Sequence, residues 1–178
     1  MVNRTFNTVL SGLCELSNTN ITFSDSQNVP LEIWKKKGAL YPYFKDTICA
    51  VDGTHILAKV SNQDIVHFRN WKGEITQNVL AICTFGLYFS YLVPGWEGSA
   101  HDGRVLQWAL RNGLEVAEGK YFLVDAGYAL RKGFLVPYRG IRYHLREQSI
   151  SCLRYVYIYF IIIKYVVIIL IILIFILN

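Results

Sequence analysis

Thr47-Ile48-Cys49-Ala50-Val51-Asp52-Gly53 is a short apolar run that ends on an aspartate and a glycine. Its β-branched residues and turn-forming boundary predict a buried strand over 47–51. The same ending recurs in Tyr121-Phe122-Leu123-Val124-Asp125-Ala126-Gly127. An aspartate directly after a buried strand sets a carboxylate where ligands collect in α/β sheets. If the two strands are neighbours, Asp52 and Asp125 stand side by side, and a divalent cation relieves their repulsion. Oxygen donors favour Mg²⁺ or Mn²⁺. The competing reading is plain turn chemistry, because Asp-Gly is a common turn pair.

Between these two runs the chain predicts a hairpin, with strands over 78–85 and 88–93 around Gly86. Ser99-Ala100-His101-Asp102 then opens a helix whose Val105, Leu106, Ala109 and Leu110 form an apolar stripe, closed by Asn112-Gly113. A crossover through that helix lays the last strand parallel to one of the opening strands. The fold class is therefore α/β with a mixed sheet. Asp102 is a third candidate for the metal, or else a carboxylate that offsets the first-turn N–H groups of the helix. His55 and His101 are placed to face the same cleft, whereas His67 and His144 read as surface residues. No Ser-His-Asp or Cys-His set can be assembled, and phosphate-binding glycine loops are absent, which argues against a nucleophilic hydrolase or a P-loop enzyme. Cys49 and Cys83 fall in apolar strands as small core residues.

Outward from this centre, Phe6, Val9, Leu10, Leu13 and Leu16 recur at helical spacing and predict an amphipathic packing helix over 4–17. A polar loop leads to Pro30 and a short helix over 31–37 bearing Lys35-Lys36-Lys37. The chain has 178 residues, 53% of them hydrophobic, a net charge of +5 and a mean hydropathy of +0.28. That is too apolar for disorder and high for a soluble domain. The excess sits in residues 155–177, where every residue but Lys164 is apolar or aromatic. This tail is long enough to cross a bilayer as a helix, which takes roughly 20 residues. Arg142, Arg146 and Arg154 before it would keep the globular part cytosolic. Its Ile-, Tyr- and Phe-rich composition, without Gly, Pro, Ala, Ser or Asp, equally suits translated non-coding sequence. Four scattered cysteines indicate neither a zinc knuckle nor a disulfide scaffold, and the N-terminus has no signal-peptide run.

Several segments carry a family resemblance: Tyr41-Pro42-Tyr43-Phe44-Lys45-Asp46, Val51-Asp52-Gly53-Thr54-His55-Ile56, Arg69-Asn70-Trp71-Lys72-Gly73-Glu74-Ile75-Thr76-Gln77-Asn78-Val79, Pro94-Gly95-Trp96-Glu97-Gly98-Ser99-Ala100-His101-Asp102-Gly103-Arg104-Val105 and Leu123-Val124-Asp125-Ala126-Gly127-Tyr128. Together they resemble the nuclease domain of PIF/Harbinger transposases and their domesticated relatives, over roughly residues 5–147. The resemblance implies a ribonuclease-H-like fold, incomplete at the C-terminus, with a DDE metal site acting on DNA through Mg²⁺ or Mn²⁺. Asp52 and Asp125 match the first two catalytic aspartates, and Asp102 matches an aspartate kept near the metals. It further implies a nuclear location and a Myb-like DNA-binding partner, against the alternative of a membrane location through 155–177. Phosphate-contact candidates are Lys72, Arg104, Arg131, Lys132, Arg139 and Arg142. The family's third carboxylate is a glutamate well beyond the D-x-G-Y motif. Glu147 is the only acidic residue after Asp125, in a segment that is not catalytic in the family. The expectation is a partial nuclease domain over 41–150 that keeps two thirds of the triad and cuts DNA negligibly. It follows a remnant helical region over 1–40 and precedes the tail. A tail-anchored interaction module and a noncatalytic DNA-binding module are the alternatives.

Overall fold

A computed structural model describes residues 2–22, 28–35 and 40–137. The strands are β1 (Thr47–Leu57), β2 (Thr76–Cys83), β3 (Phe89–Glu97), β4 (Tyr121–Val124) and β5 (Phe134–Leu135). They form one sheet in the order β3-β2-β1-β4-β5. β1 pairs antiparallel with β2 and parallel with β4, so the sheet is mixed, as expected from the crossover. The helices are α1 (Val2–Asn20), α2 (Leu31–Lys35), α3 (Ile65–Phe68) and α4 (Asp102–Arg111).

Period-two alternation assigns the core residues to the two faces of the sheet. Val51, Leu80, Ile82, Phe122 and Val124 join Val105, Leu106 and Ala109 of α4 in one cluster. Ala50, Ala81, Cys83 and Leu123 join Ile33 of α2 and Leu40 in the other. The apolar stripe of α4 thus covers one face, while α2 and the segment after it cover the opposite one.

Three boundaries differ from the sequence reading, each for a tertiary reason. β1 does not stop at Asp52-Gly53 but runs through it to Leu57, because β2 supplies antiparallel partners all along: Asp52 opposes Ala81, Gly53 opposes Leu80 and Leu57 opposes Thr76. Asp52 is therefore inside a strand rather than at its end. β3 runs past Pro94 to Glu97, which an edge strand tolerates because proline removes no inward ladder bond there. β5 is two residues long and was not foreseen; it is held by its parallel pairing with β4 and by buried Phe134, whose ring centroid lies 5.7 Å from that of Phe122. The predicted N-terminal helix forms as α1, but its Val9, Leu10 and Leu16 are exposed rather than packed. Among the described residues no helix is long and apolar enough to cross a membrane; the tail at 155–177 lies outside them, as do Glu147, Arg139 and Arg142.

Candidate metal centre

The register of the central strands builds the site. Val51 of β1 pairs with Val124 of β4, so the next residues, Asp52 and Asp125, leave the two parallel neighbours at the same level. There β4 ends while β1 continues, which leaves Asp52 buried and Asp125 exposed at the mouth of the step. Each carboxylate is steadied by a nearby amide. Gly53 N–H donates to Asp52 Oδ1 at 2.9 Å, and Gly127 N–H donates to Asp125 Oδ1 at 2.7 Å. Charge-assisted bonds of this length fix the orientation of a carboxylate without a neighbouring cation.

Asp102 reaches the same region from the other side of Gly53. Val51 faces α4, so alternation turns Gly53 to that face too, and a Cβ on Gly53 would overlap the Asp102 carboxylate. Glycine is required because a carboxylate lies against its Cα. Asp102 does occupy the first turn of α4, but His101 is the cap, with Nδ1 accepting from Gly103 N–H at 3.0 Å. Asp102 is instead held from β2, where the fully buried Asn78 donates through Nδ2 to Asp102 Oδ1 at 2.6 Å and to the Ala100 carbonyl at 2.9 Å. Asn78 thus ties the entrance of α4 to the sheet. The first-turn reading of Asp102 is therefore only part of its role.

Tyr128 lies within electrostatic reach of all three carboxylates. It is 2% exposed, and its phenol is pushed well above the usual tyrosine range by burial first and then by the charges of Asp102, Asp52 and Asp125. The nearby Gly53 backbone pulls the other way. Tyr128 therefore stays a neutral phenol beneath the carboxylates and adds no further charge. Asn78 and Tyr128 both lie in the quoted motifs, yet the sequence reading assigned them no role. An asparagine amid the apolar residues of β2 was the available signal for the first.

The histidines are used elsewhere. His55 Nδ1 lies 3.0 Å from Thr76 Oγ1, His101 caps α4, and His67 is exposed. Of the basic candidates, Lys72 lies 5.1 Å from the Trp71 ring centroid, Arg104 5.8 Å from that of Trp96 and Arg131 5.6 Å from that of Phe134.

The three aspartates offer only hard oxygen donors, which is the donor chemistry that Mg²⁺ and Mn²⁺ take. They do not form a finished cage: among the described residues no three His, Cys, Asp or Glu side chains are grouped to hold a metal ion. A parallel pair of central strands that carry neighbouring aspartates, Asp52 within β1 and Asp125 just after β4, in a five-stranded mixed sheet, is consistent with a ribonuclease-H-like fold. A family model described as DDE superfamily endonuclease matches residues 51–154, more than half of the chain, and the chain belongs to that family. Endonucleases of this superfamily bind DNA and generally use divalent metals. No curated protein and no solved structure matches the chain.

Two predictions arise from this geometry. Asn78→Asp keeps the shape of the side chain but sets a second carboxylate against Asp102. The variant loses the donation to Ala100 or Asp102 at every pH, and its destabilisation should be larger at neutral than at acid pH, because facing carboxylates repel only when both are ionised. Urea midpoints of variant and wild type across pH 3.5–7 check this, and parallel curves would contradict it. The second concerns alkaline pH. Burial first, and then Cys49, raise the Cys83 thiol from 9.0 to about 12, and Tyr128 shifts the same way from 10.0. Both groups are neutral in the fold, so their stabilisation is complete below the unfolded-state values and is lost as pH climbs toward the folded-state ones. Stability should fall from pH 9 toward about 12, and Cys83→Ala should flatten the first part of that fall.

Proposed function

We propose that this chain is a PIF/Harbinger-type, transposase-derived nuclease unit that binds a divalent cation and DNA but cuts phosphodiesters negligibly. The observation that carries this reading is the pairing of Val51 with Val124, which brings Asp52 and Asp125 together. Asp52 and Asp125 would hold Mg²⁺ or Mn²⁺, with Asp102 across Gly53 as the third carboxylate of the same site. A bound cation there would supply Lewis-acid activation of a phosphodiester and of water. The chain's own residues contribute orientation: the Gly53 and Gly127 amides steady the paired aspartates, Asn78 holds Asp102, and Tyr128 supplies a neutral buried floor. The family motifs support the subtype, and the lack of any acidic residue but Glu147 after Asp125 supports negligible cleavage by these 178 residues.

The place of action is read as the nucleus, with a Myb-like DNA-binding partner, because the motifs resemble those of PIF/Harbinger nucleases. The apolar run at 155–177 favours a second reading, a membrane-anchored module, which carbonate extraction of a tagged full chain separates from the first. The main test is Mn²⁺ binding together with nicking of a supercoiled plasmid. The expected result is binding without nicking. Metal-dependent nicking that Asp52→Ala abolishes would overturn the proposed inactivity, and absence of metal binding would overturn the site.

A further inference from the structure

The hairpin that precedes β2 presents a side chain that the metal centre does not use. Trp71 is 84% exposed, although a tryptophan that size gains more from burial than almost any other residue. The loop beneath it is held in one shape. Asn70, 6% exposed, accepts through Oδ1 from the N–H groups of Lys72 at 2.9 Å and Glu74 at 3.0 Å. Its Nδ2 donates to Glu74 Oε2 at 3.2 Å, and its backbone N–H donates to the Glu74 carbonyl at 2.8 Å. Gly73 closes the turn at φ +85, a conformation that favours glycine, and Arg69 bridges to Ile75 across the base. Trp71 is thus held outward by a pre-organised turn.

Charge and position indicate what would cover it. Lys72 lies 5.1 Å from the Trp71 ring centroid, Arg69 stands on the other side in the chain, and the one acidic residue of the turn, Glu74, is engaged by Asn70. An exposed indole beside a cation suits a nucleobase attached to a phosphate. Strands β1 and β2 run together from the level of Asp52 and Ala81 to that of Leu57 and Thr76, about 17 Å at 3.3 to 3.4 Å per residue. The hairpin begins there, on the side toward which β1 overshoots β4. That separation equals about five nucleotide steps at roughly 3.4 Å each.

We infer that Trp71 and Lys72 form a stacking site for an unpaired nucleotide of the DNA strand that leads to the Asp52–Asp125 pair. Duplex bases keep their faces stacked inside the helix, so only an unpaired base can lie on the indole, while Lys72 meets its phosphate. The inference rests on the reading of the metal centre as a DNA site, and the test separates the two.

Full-length chain is titrated with a fluorescein-labelled twelve-residue oligothymidine and with a twelve-base-pair duplex, at several salt concentrations. Trp71→Ala should weaken binding of the single strand about tenfold or more and leave the duplex within twofold, and Trp71→Phe should restore most of the loss. Lys72→Ala should lower the magnitude of the single-strand salt slope by about 0.7. Because Trp71 supports no core, its substitution leaves the fold intact, which a wild-type melting temperature verifies. If the chain binds both probes and Trp71→Ala binds the single strand like wild type, or loses single strand and duplex equally, the stacking site is wrong and the DNA reading stands. Binding of neither probe overturns both.

Discussion

Gly98→Ala is expected to cost about 3 kcal/mol of stability or more, at or above the upper end of the usual overpacking range, and to lower the melting temperature by on the order of 10 °C. Gly98 is buried just after β3, where a Cβ would overlap the carbonyl oxygens of Phe68 and Thr76 and the Thr76 hydroxyl. Two of those three atoms are backbone, so no rotamer change makes room. Thr76 is also the residue opposite Leu57 at the end of the β1–β2 ladder and the neighbour of His55 Nδ1 at 3.0 Å. A shift there propagates into the strand that carries Asp52. The control is Gly95→Ala, at φ +85 with open space around it, where only the backbone conformation is penalised, by about 1 to 2 kcal/mol. Thermal melts of the two variants check the ranking. Gly98→Ala melting above Gly95→Ala would mean that the close approach is not a real constraint.

Removing one member of the aspartate pair should have effects of opposite sign with and without metal. With Mn²⁺ at ten times its dissociation constant, linkage adds about 1.4 kcal/mol to the folded state, a rise of roughly 3–6 °C in melting temperature. Asp52→Asn and Asp125→Asn should each abolish that rise, because two adjacent oxygen donors from β1 and β4 are the minimum that the site offers. Without metal, the same variants should melt at or slightly above wild type, since one of two neighbouring charges is gone while an amide oxygen can still accept from Gly53 or Gly127. Asp102→Asn should reduce the Mn²⁺ shift without abolishing it. Melting curves of the four proteins, with and without Mn²⁺, decide the matter. A full metal-induced shift in Asp52→Asn would remove Asp52 from the site.

The apolar runs at 47–51 and 121–124 were legible because buried central strands need uninterrupted apolar residues. The stripe of α4 was legible because its period is that of a helix packed on one side. Asp52 and Asp125 followed as a pair from the identical ending of their strands. Asn78 was not legible in that way: one asparagine among apolar strand residues signals a buried polar partner but not which one, and Ala100 and Asp102 lie on another element. Asp102 was ambiguous for the same reason, since a first-turn aspartate looks alike whether it serves the helix or lies against Gly53.

By itself the sequence determined the mixed α/β order, the two carboxylates that follow the apolar runs at 47–51 and 121–124, and the DDE family to which their motifs belong. Alternation, helical period and residue chemistry are properties of the local chain. Only the tertiary structure decided that β1 runs on through Asp52-Gly53, that β3 passes Pro94, and that Asp102 reaches Gly53 from α4. Those outcomes depend on ladder partners and packing contacts from distant segments, where pairing with β2 overrides the turn tendency of Asp-Gly.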